Sequence, residues 1–345
     1  MKNKSFLNQK AKTFIIAEVS ANHNQSLNRA IAMIKKAKEC GADAVKFQCY
    51  TPDTMTIDCD NKYFRIKHPK WGGQTLYQLY QKAYTPWKWF KRLKSVADDL
   101  GIIFFATAFD KKSVDFLEDL KVPFHKIASF ELVDLPLIEY AAKTKKPLIL
   151  STGMATLPEI KAAVDTAKRA GAKEVILLKC VSSYPAKPKE MNLQTISDLK
   201  QRFKVPVGLS DHTLGIGVSV ASVLLGAQLI EKHFTLSRKI KSADCFFSAE
   251  PQELKNLVEN VRVAEEAAGK VHYGLTKEEV KNQIFRRSLF VVQSIKKGEI
   301  LTEENIKSIR PGHGLSPGSI KRILGKKAVQ AIKRGTPLQR RMIKL

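Results

Sequence analysis

Eight short apolar runs recur along the first 234 residues, and each breaks into polar or ionisable side chains at its C-terminal edge. They span 13–20, 43–48, 102–107, 124–129, 147–152, 175–180, 205–210 and 229–234. Most are aliphatic and β-branched with little polar alternation, the pattern of strands buried on both faces. The stretches between them carry a helical period instead. Leu27, Ile31, Ile34 and Ala37 recur every three or four residues, and Gly41 stands where a left-handed residue would close the helix. Thr85-Pro86 predicts a cap followed by a first helical residue, and Thr156 with Glu159 predicts a capping box with Pro158 in the first turn. Gly41-Ala42-Asp43, Gly171-Ala172-Lys173 and Gly226-Ala227-Gln228 are three copies of one junction, a helix stop followed by a strand start. A repeated junction of this kind belongs to a wound parallel sheet. Eight such units in roughly 260 residues predict a closed α/β barrel of the (β/α)8 TIM type rather than an open sheet. No GxGxxG or Walker-type loop argues for a nucleotide-binding sheet.

Two segments break the rhythm. Residues 50–84 are too long for a plain connection and contain Trp71-Gly72-Gly73-Gln74-Thr75-Leu76-Tyr77, so they are expected to cover the barrel mouth. After Gly274 a capping box at Thr276 and Glu279 leads into short strands separated by turns at Lys297-Gly298, Pro311-Gly312 and Pro317-Gly318. The expected organisation is a barrel over 1–275, a linker over 276–286 and a small second domain over 287–345.

Composition narrows the class. The chain of 345 residues is 44% apolar, enough for a packed barrel plus a small domain. No apolar run reaches the length of about 18 residues that spans a membrane. Residues 1–10 are basic without an apolar core and do not read as a secretory signal. Five cysteines, odd in number and without CxxC spacing, argue against a disulfide framework or a thiolate zinc site and for a reducing cytoplasm. The net charge is +26, and residues 281–345 hold 16 Lys and Arg against 3 Asp and Glu, a balance of +13. That excess suits an anionic partner. The basic residues are scattered with little aromatic interleaving, which argues against nucleic acid, although a nucleic-acid-binding protein stays open as a reading from another class.

The strand ends carry the candidate chemistry, because a TIM barrel keeps its reactive groups there. They supply Glu18; Lys46 and Gln48; Thr107; Lys126, Ser129 and Glu131; Ser151 and Thr152; Lys179, Ser182 and Tyr184; Ser210 and His212; Glu231 and His233. Strand alternation sends Glu231 and His233 to one face and Lys232 to the other. Two histidines from adjacent strands are candidates to hold one divalent metal. Lysines facing into a barrel need an anion, so Lys46 and Lys126 point to a bound phosphate or carboxylate, with Ser129, Ser151 and Ser210 as neutral donors. Unaided, the residues predict a metal-assisted barrel enzyme acting on a small anion.

The motifs Ile16-Ala17-Glu18, Asn22-His23-Asn24, Lys46-Phe47-Gln48, Lys126 to Glu131, Ser151-Thr152-Gly153-Met154-Ala155, Ser210-Asp211-His212-Thr213 and Glu231-Lys232-His233-Phe234, in that order, resemble the sialic acid synthase family. Arg286-Arg287-Ser288, Lys297-Gly298-Glu299 and Ile309-Arg310-Pro311-Gly312 resemble the C-terminal antifreeze-like (SAF) domain of that family. Within it, Ser20-Ala21-Asn22, the 71–77 motif and Thr85-Pro86-Trp87 are more similar to pseudaminic acid synthases than to N-acetylneuraminate synthases; a neuraminate or legionaminic acid synthase stays open. The resemblance implies a condensation of phosphoenolpyruvate with an N-acetylated amino sugar, for a pseudaminic acid synthase 2,4-diacetamido-2,4,6-trideoxy-L-altropyranose, with release of phosphate and a divalent cation (Mn2+, Mg2+ or Co2+) on His212 and His233. It further implies that Lys46, Lys126, Ser129, Ser151, Ser182 and Ser210 hold phosphoenolpyruvate, that Gln48, Glu131, Tyr184 and Asp244 meet the sugar, and that Glu18 and Glu231 move protons. Arg310 is implied to reach the sugar site of a neighbouring subunit in a domain-swapped homodimer. Two departures stand out. The segment 238–244 lacks the glycine the family usually has before Asp244, and Lys179 is expected to add a cation near the anion site.

Overall fold

Each of the eight apolar runs forms a strand, and the strands pair in parallel in sequence order. In the computed structural model, which describes residues 12–68 and 70–344, they are β1 (Phe14–Glu18), β2 (Ala44–Cys49), β3 (Ile103–Ala108), β4 (His125–Ile127), β5 (Leu148–Ser151), β6 (Val175–Cys180), β7 (Val207–Asp211) and β8 (Leu229–His233). β8 closes on β1, so among the described residues the sheet is a closed eight-stranded barrel. The strands read as continuous apolar runs because both faces are covered: Ile15, Ile16, Ala17, Phe47, Phe105, Leu150, Leu177 and Ile230 have no exposed surface. Gly41, Gly171 and Gly226 all adopt positive φ, at 87°, 96° and 92°, which explains the glycine in the repeated junction.

The helices follow their sequence signals with one exception. Leu27–Glu39 is capped by Ser26 and buries Ala30, Met33, Ile34 and Ala37, and Thr156 with Glu159 closes the expected capping box. Thr85, expected as a helix cap, instead shares a hydrogen bond of 3.0 Å with His23 Nε2, and the chain enters its α-helix only at Phe90–Asp99 after a 3-10 turn. A buried partner 62 residues away outcompetes the local cap.

That partner sets an acid limit on stability. His23 is fully buried against Trp89, and burial, helped by Arg29, pushes its pKa from 6.5 down to about 4. Between those values the unfolded chain binds a proton that the folded chain does not, so stability falls as pH falls through the window and levels off below about 4. The span corresponds to about 3 kcal/mol. Urea denaturation at pH 7 and 4.5 should show a loss in the wild type that His23→Asn largely removes; equal losses would assign the acid sensitivity elsewhere.

The chain divides after Gly269 into two compact units. The second opens with the capping box of Thr276 and Glu279, then carries an antiparallel pair, β9 (Ser288–Val291) and β10 (Ile306–Ile309). Leu289, Val291, Ile295, Leu301, Ile306 and Leu338 form its own small core. No helix among the described residues is long and apolar enough to cross a membrane.

Candidate active site

The C-terminal strand ends converge on a cavity of about 470 Å³. Its walls include Glu18, Lys46, Gln48, Lys126, Ser129, Glu131, Ser151, Tyr184, Ser210, His212, Glu231, His233 and Asp244. Ser182 is not on the cavity wall but lies beside it, and Arg310 belongs to the second unit.

The register of three strands builds the charged centre. Glu18 of β1 pairs with Lys46 of β2, and Ser210 of β7 with Glu231 of β8. Lys46 Nζ therefore sits 2.7 Å from Glu18, 3.7 Å from Glu231 and 2.8 Å from Thr107 Oγ1. Burial pushes Glu18 up to about 7, with Lys46 opposing and Glu231 adding to the rise. Burial would raise Glu231 as well, but Lys46 and Lys126 outweigh it and hold this carboxyl below its usual range. The two carboxyls are thus pushed apart, Glu18 toward its protonated form and Glu231 toward its ionised form, the division of labour that acid–base chemistry needs. Lys46, expected to await a bound anion, already has protein carboxylates as counterions. Lys126 differs: its Nζ donates to the Ile127 carbonyl at 2.9 Å, has no carboxylate within ion-pair distance among the described residues, and burial lowers its pKa.

Beside Lys126 lies a cradle of neutral donors. The Gly153 N–H donates to Ser129 Oγ at 3.1 Å, and the hydroxyls of Ser151 and Ser182 are buried without a hydrogen-bond partner. Buried hydroxyls left unpaired are costly, so the cradle is built for a polar guest. A Cβ at Gly153 would stand 2.2 Å from Ser182 Oγ and 2.7 Å from Ser129 Oγ, which is why no larger residue fits. Gly153→Ala should weaken binding of a small phosphorylated anion about tenfold or more by displacing the Ser129 and Ser182 hydroxyls, and should cost about 1–3 kcal/mol of stability as overpacking does. Unaltered anion affinity, read by isothermal titration, would remove the cradle from the site.

The two histidines stand with ring centroids 5.2 Å apart. His212 Nδ1 lies 2.9 Å from the Val181 carbonyl, which fixes the proton there and turns Nε2 toward a ligand. His233 Nδ1 is buried without a partner, and burial together with His212 holds its pKa well below 6.5, so its ring is neutral. Two imidazoles from adjacent strands, one of them with a buried nitrogen left unpaired, fit a divalent cation. No group of three or more His, Cys, Asp or Glu among the described residues gathers around them, so substrate or water oxygens would complete the coordination. Cys180 stands 3.8 Å from His212 Nδ1; burial raises its pKa, but His212 outweighs this and brings it to about 7. Burial would lower His212, but Cys180 and the Val181 carbonyl outweigh it and raise this ring, so a cation would have to displace its second proton.

Several expectations change. Lys179 does not reach the cavity: its Nζ donates to the Cys180 carbonyl at 3.0 Å, and alternation along β6 turns Cys180 inward instead. Thr152 spends its hydroxyl on the Leu178 carbonyl. Lys232 points outward as alternation requires, and there pairs with Asp211 at 2.9 Å behind the two histidines, both side chains buried. Despite the missing glycine, Asp244 reaches the cavity, where it accepts a hydrogen bond from Ser20 Oγ. Trp71 Nε1 donates to the Ala243 carbonyl at 2.8 Å, so the long insertion after β2 does cover the mouth. Cys180 and the insertion's Met55, Ile66, Leu79 and Tyr80 are wall residues the strand-end motifs left out.

Comparison with known proteins agrees with this geometry. A model described as the NeuB family matches residues 33–273, and a SAF domain model matches 286–344. A pseudaminic acid synthase of Campylobacter jejuni subsp. jejuni is 45% identical over 96% of this chain and 97% of that protein. Another, of Helicobacter pylori, is 44% identical over 94% and 96%. The crystal structure of an N-acetylneuraminic acid synthetase from Leptospira borgpetersenii in complex with citrate superposes with a TM-score of 0.70 at 35% identity, covering 79% of this chain and 90% of that one. With the barrel matched by the family model and its relatives similar from end to end, the chain belongs to the NeuB family.

Proposed function

We propose that the protein is a pseudaminic acid synthase, condensing phosphoenolpyruvate with 2,4-diacetamido-2,4,6-trideoxy-L-altropyranose and water to give pseudaminic acid and phosphate. The observation that carries the reading is one cavity that joins an anion cradle, a carboxyl pair and two histidines from adjacent strands, in a chain 45% identical over 96% of its length to a pseudaminic acid synthase. Lys126, with Ser129, Ser151, Ser182 and Ser210, holds phosphoenolpyruvate. Gln48, Glu131, Tyr184 and Asp244 meet the sugar; Glu131 suits this because burial raises its carboxyl to about 7 and its Oε2 has no partner.

His212 and His233 would hold a divalent cation (Mn2+, Mg2+ or Co2+), which would supply Lewis-acid polarisation of the sugar aldehyde. C3 of phosphoenolpyruvate bonds to the aldehyde carbon, and protonated Glu18 delivers its proton to the aldehyde oxygen. Ionised Glu231 takes a proton from the water that bonds to C2. The bond from C2 to the phosphate oxygen then breaks as the new C2 hydroxyl gives its proton to the departing phosphate, leaving the 2-keto acid and hydrogen phosphate. Lys46, in reach of both carboxyls, favours the ionised form of each and so stabilises the negative charge the pair carries as protons move.

The active unit is a homodimer in the cytoplasm, in which Arg310 of one chain serves the barrel of the other; the five free cysteines suit a reducing compartment. Mixing inactive Arg310→Ala and Glu18→Gln chains after dissociation should restore roughly up to half of the sites in mixed dimers. Mixed dimers that stay inactive would defeat the shared arginine. The reaction itself is tested by phosphate release from phosphoenolpyruvate with each of three sugars, the trideoxy diacetamido altrose, N-acetylmannosamine and the legionaminic acid precursor. Fastest turnover with the first, abolished by chelator, supports the proposal; preference for another sugar overturns it.

A further inference from the structure

The cavity has two chemically different ends. The strand ends bring lysines, carboxyls and histidines; facing them, the insertion between β2 and β3 brings Met55, Ile66, Trp71, Leu76, Leu79 and Tyr80, each half-buried where it meets the cavity. Trp71 spends its indole N–H on the Ala243 carbonyl, so it offers the cavity a ring face. Tyr80 packs its ring edge-on against Tyr50. Among the described residues, the lysines on the cavity wall are Lys46 and Lys126, both at the strand ends, and the insertion contributes neither Lys nor Arg to it.

Substrate order across the cavity follows from charge. Phosphoenolpyruvate needs the cations and hydroxyls of the strand ends, and the sugar aldehyde must lie beside its C3. The sugar carbons farthest from the aldehyde, C4 with its acetamido group and the C6 methyl, are therefore carried toward the insertion. An apolar wall gains from taking methyl groups out of water, leaves a buried hydroxyl without a partner, and opposes an unpaired phosphate far more strongly.

Resting on the proposed function, we infer that this wall is the specificity determinant for the sugar: it receives the methyl groups of a deoxy, N-acylated sugar and rejects a sugar that ends in a hydroxymethyl or a phosphate. Met55, Ile66 and Leu79 supply the aliphatic contacts, while Glu131 and Asp244 read the polar groups nearer the aldehyde.

The test compares kcat/KM of the full chain for three sugars at saturating phosphoenolpyruvate: the 6-deoxy diacetamido sugar, its 6-hydroxy counterpart, and a terminally phosphorylated N-acetyl amino sugar. The wild type should prefer the first over the second by about 10- to 100-fold and over the third by more. Ile66→Asn and Leu79→Asn should each cut that preference about tenfold by raising the KM for the deoxy sugar. The KM for phosphoenolpyruvate should stay within about twofold, which also shows that each variant is folded. Turnover with the same sugar ratio in both variants and the wild type, or efficient use of the phosphorylated sugar, overturns the wall's role alone. Phosphate release with none of the three defeats the enzyme reading and this inference with it.

Discussion

Lys126→Met is expected to raise the KM for phosphoenolpyruvate by about 10²- to 10³-fold while leaving the KM for the sugar nearly unchanged. The magnitude is that of removing one partner from a buried charge pair, about 3–5 kcal/mol. The direction follows from Lys126's surroundings: it is buried and has no carboxylate within ion-pair distance among the described residues, so its counterion arrives with the substrate. Lys46→Met should behave differently although both lysines face inward. Its charge is already met by Glu18 and Glu231, so its loss sets two buried carboxyls against each other and the damage falls on kcat. Steady-state kinetics on both variants decide the matter. A rise in phosphoenolpyruvate KM for Lys46→Met equal to that for Lys126→Met would contradict the division between them.

Glu18→Gln should lower kcat by about 10²- to 10⁴-fold, the usual worth of a positioned proton donor, with both KM values changed little. Gln keeps the volume and an amide donor beside Lys46 but carries no transferable proton. The pH profile gives the independent readout. Glu18 has its pKa raised to about 7 in the free enzyme and donates only when protonated, so wild-type kcat/KM should hold below that value and fall about tenfold per pH unit above it. In Glu18→Gln that alkaline limb should vanish along with the rate. An unchanged limb in the variant would move the proton donor to another residue.

The barrel was legible in the sequence because parallel strands covered on both faces leave continuous apolar runs, and because their polar ends fall where such barrels keep chemistry. The ends of β2, β4, β7 and β8 placed Lys46, Lys126, His212 and His233 correctly on one cavity. What stayed hidden depended on partners far apart in the chain. That Lys46 is neutralised within the protein requires the register of β1 on β2 and of β7 on β8, which no local pattern carries. At the end of β6, Lys179 and Cys180 are neighbours, and one residue of phase decides which enters the site. The polar Lys179 looked like the candidate, and the register chose Cys180. Met55, Ile66 and Leu79 look in sequence like ordinary core residues, and only the fold of the insertion over the mouth turns them toward the cavity.

Whether this cavity makes a carbon–carbon bond, rather than merely hydrolysing phosphoenolpyruvate, is decided by carbon-13 NMR with phosphoenolpyruvate labelled at C3. With the trideoxy diacetamido sugar and a divalent cation, condensation puts the label in a methylene group coupled to the former aldehyde carbon of a nine-carbon 2-keto acid, with one phosphate released per molecule. Label recovered as the methyl group of pyruvate, with the sugar unconsumed, would contradict it.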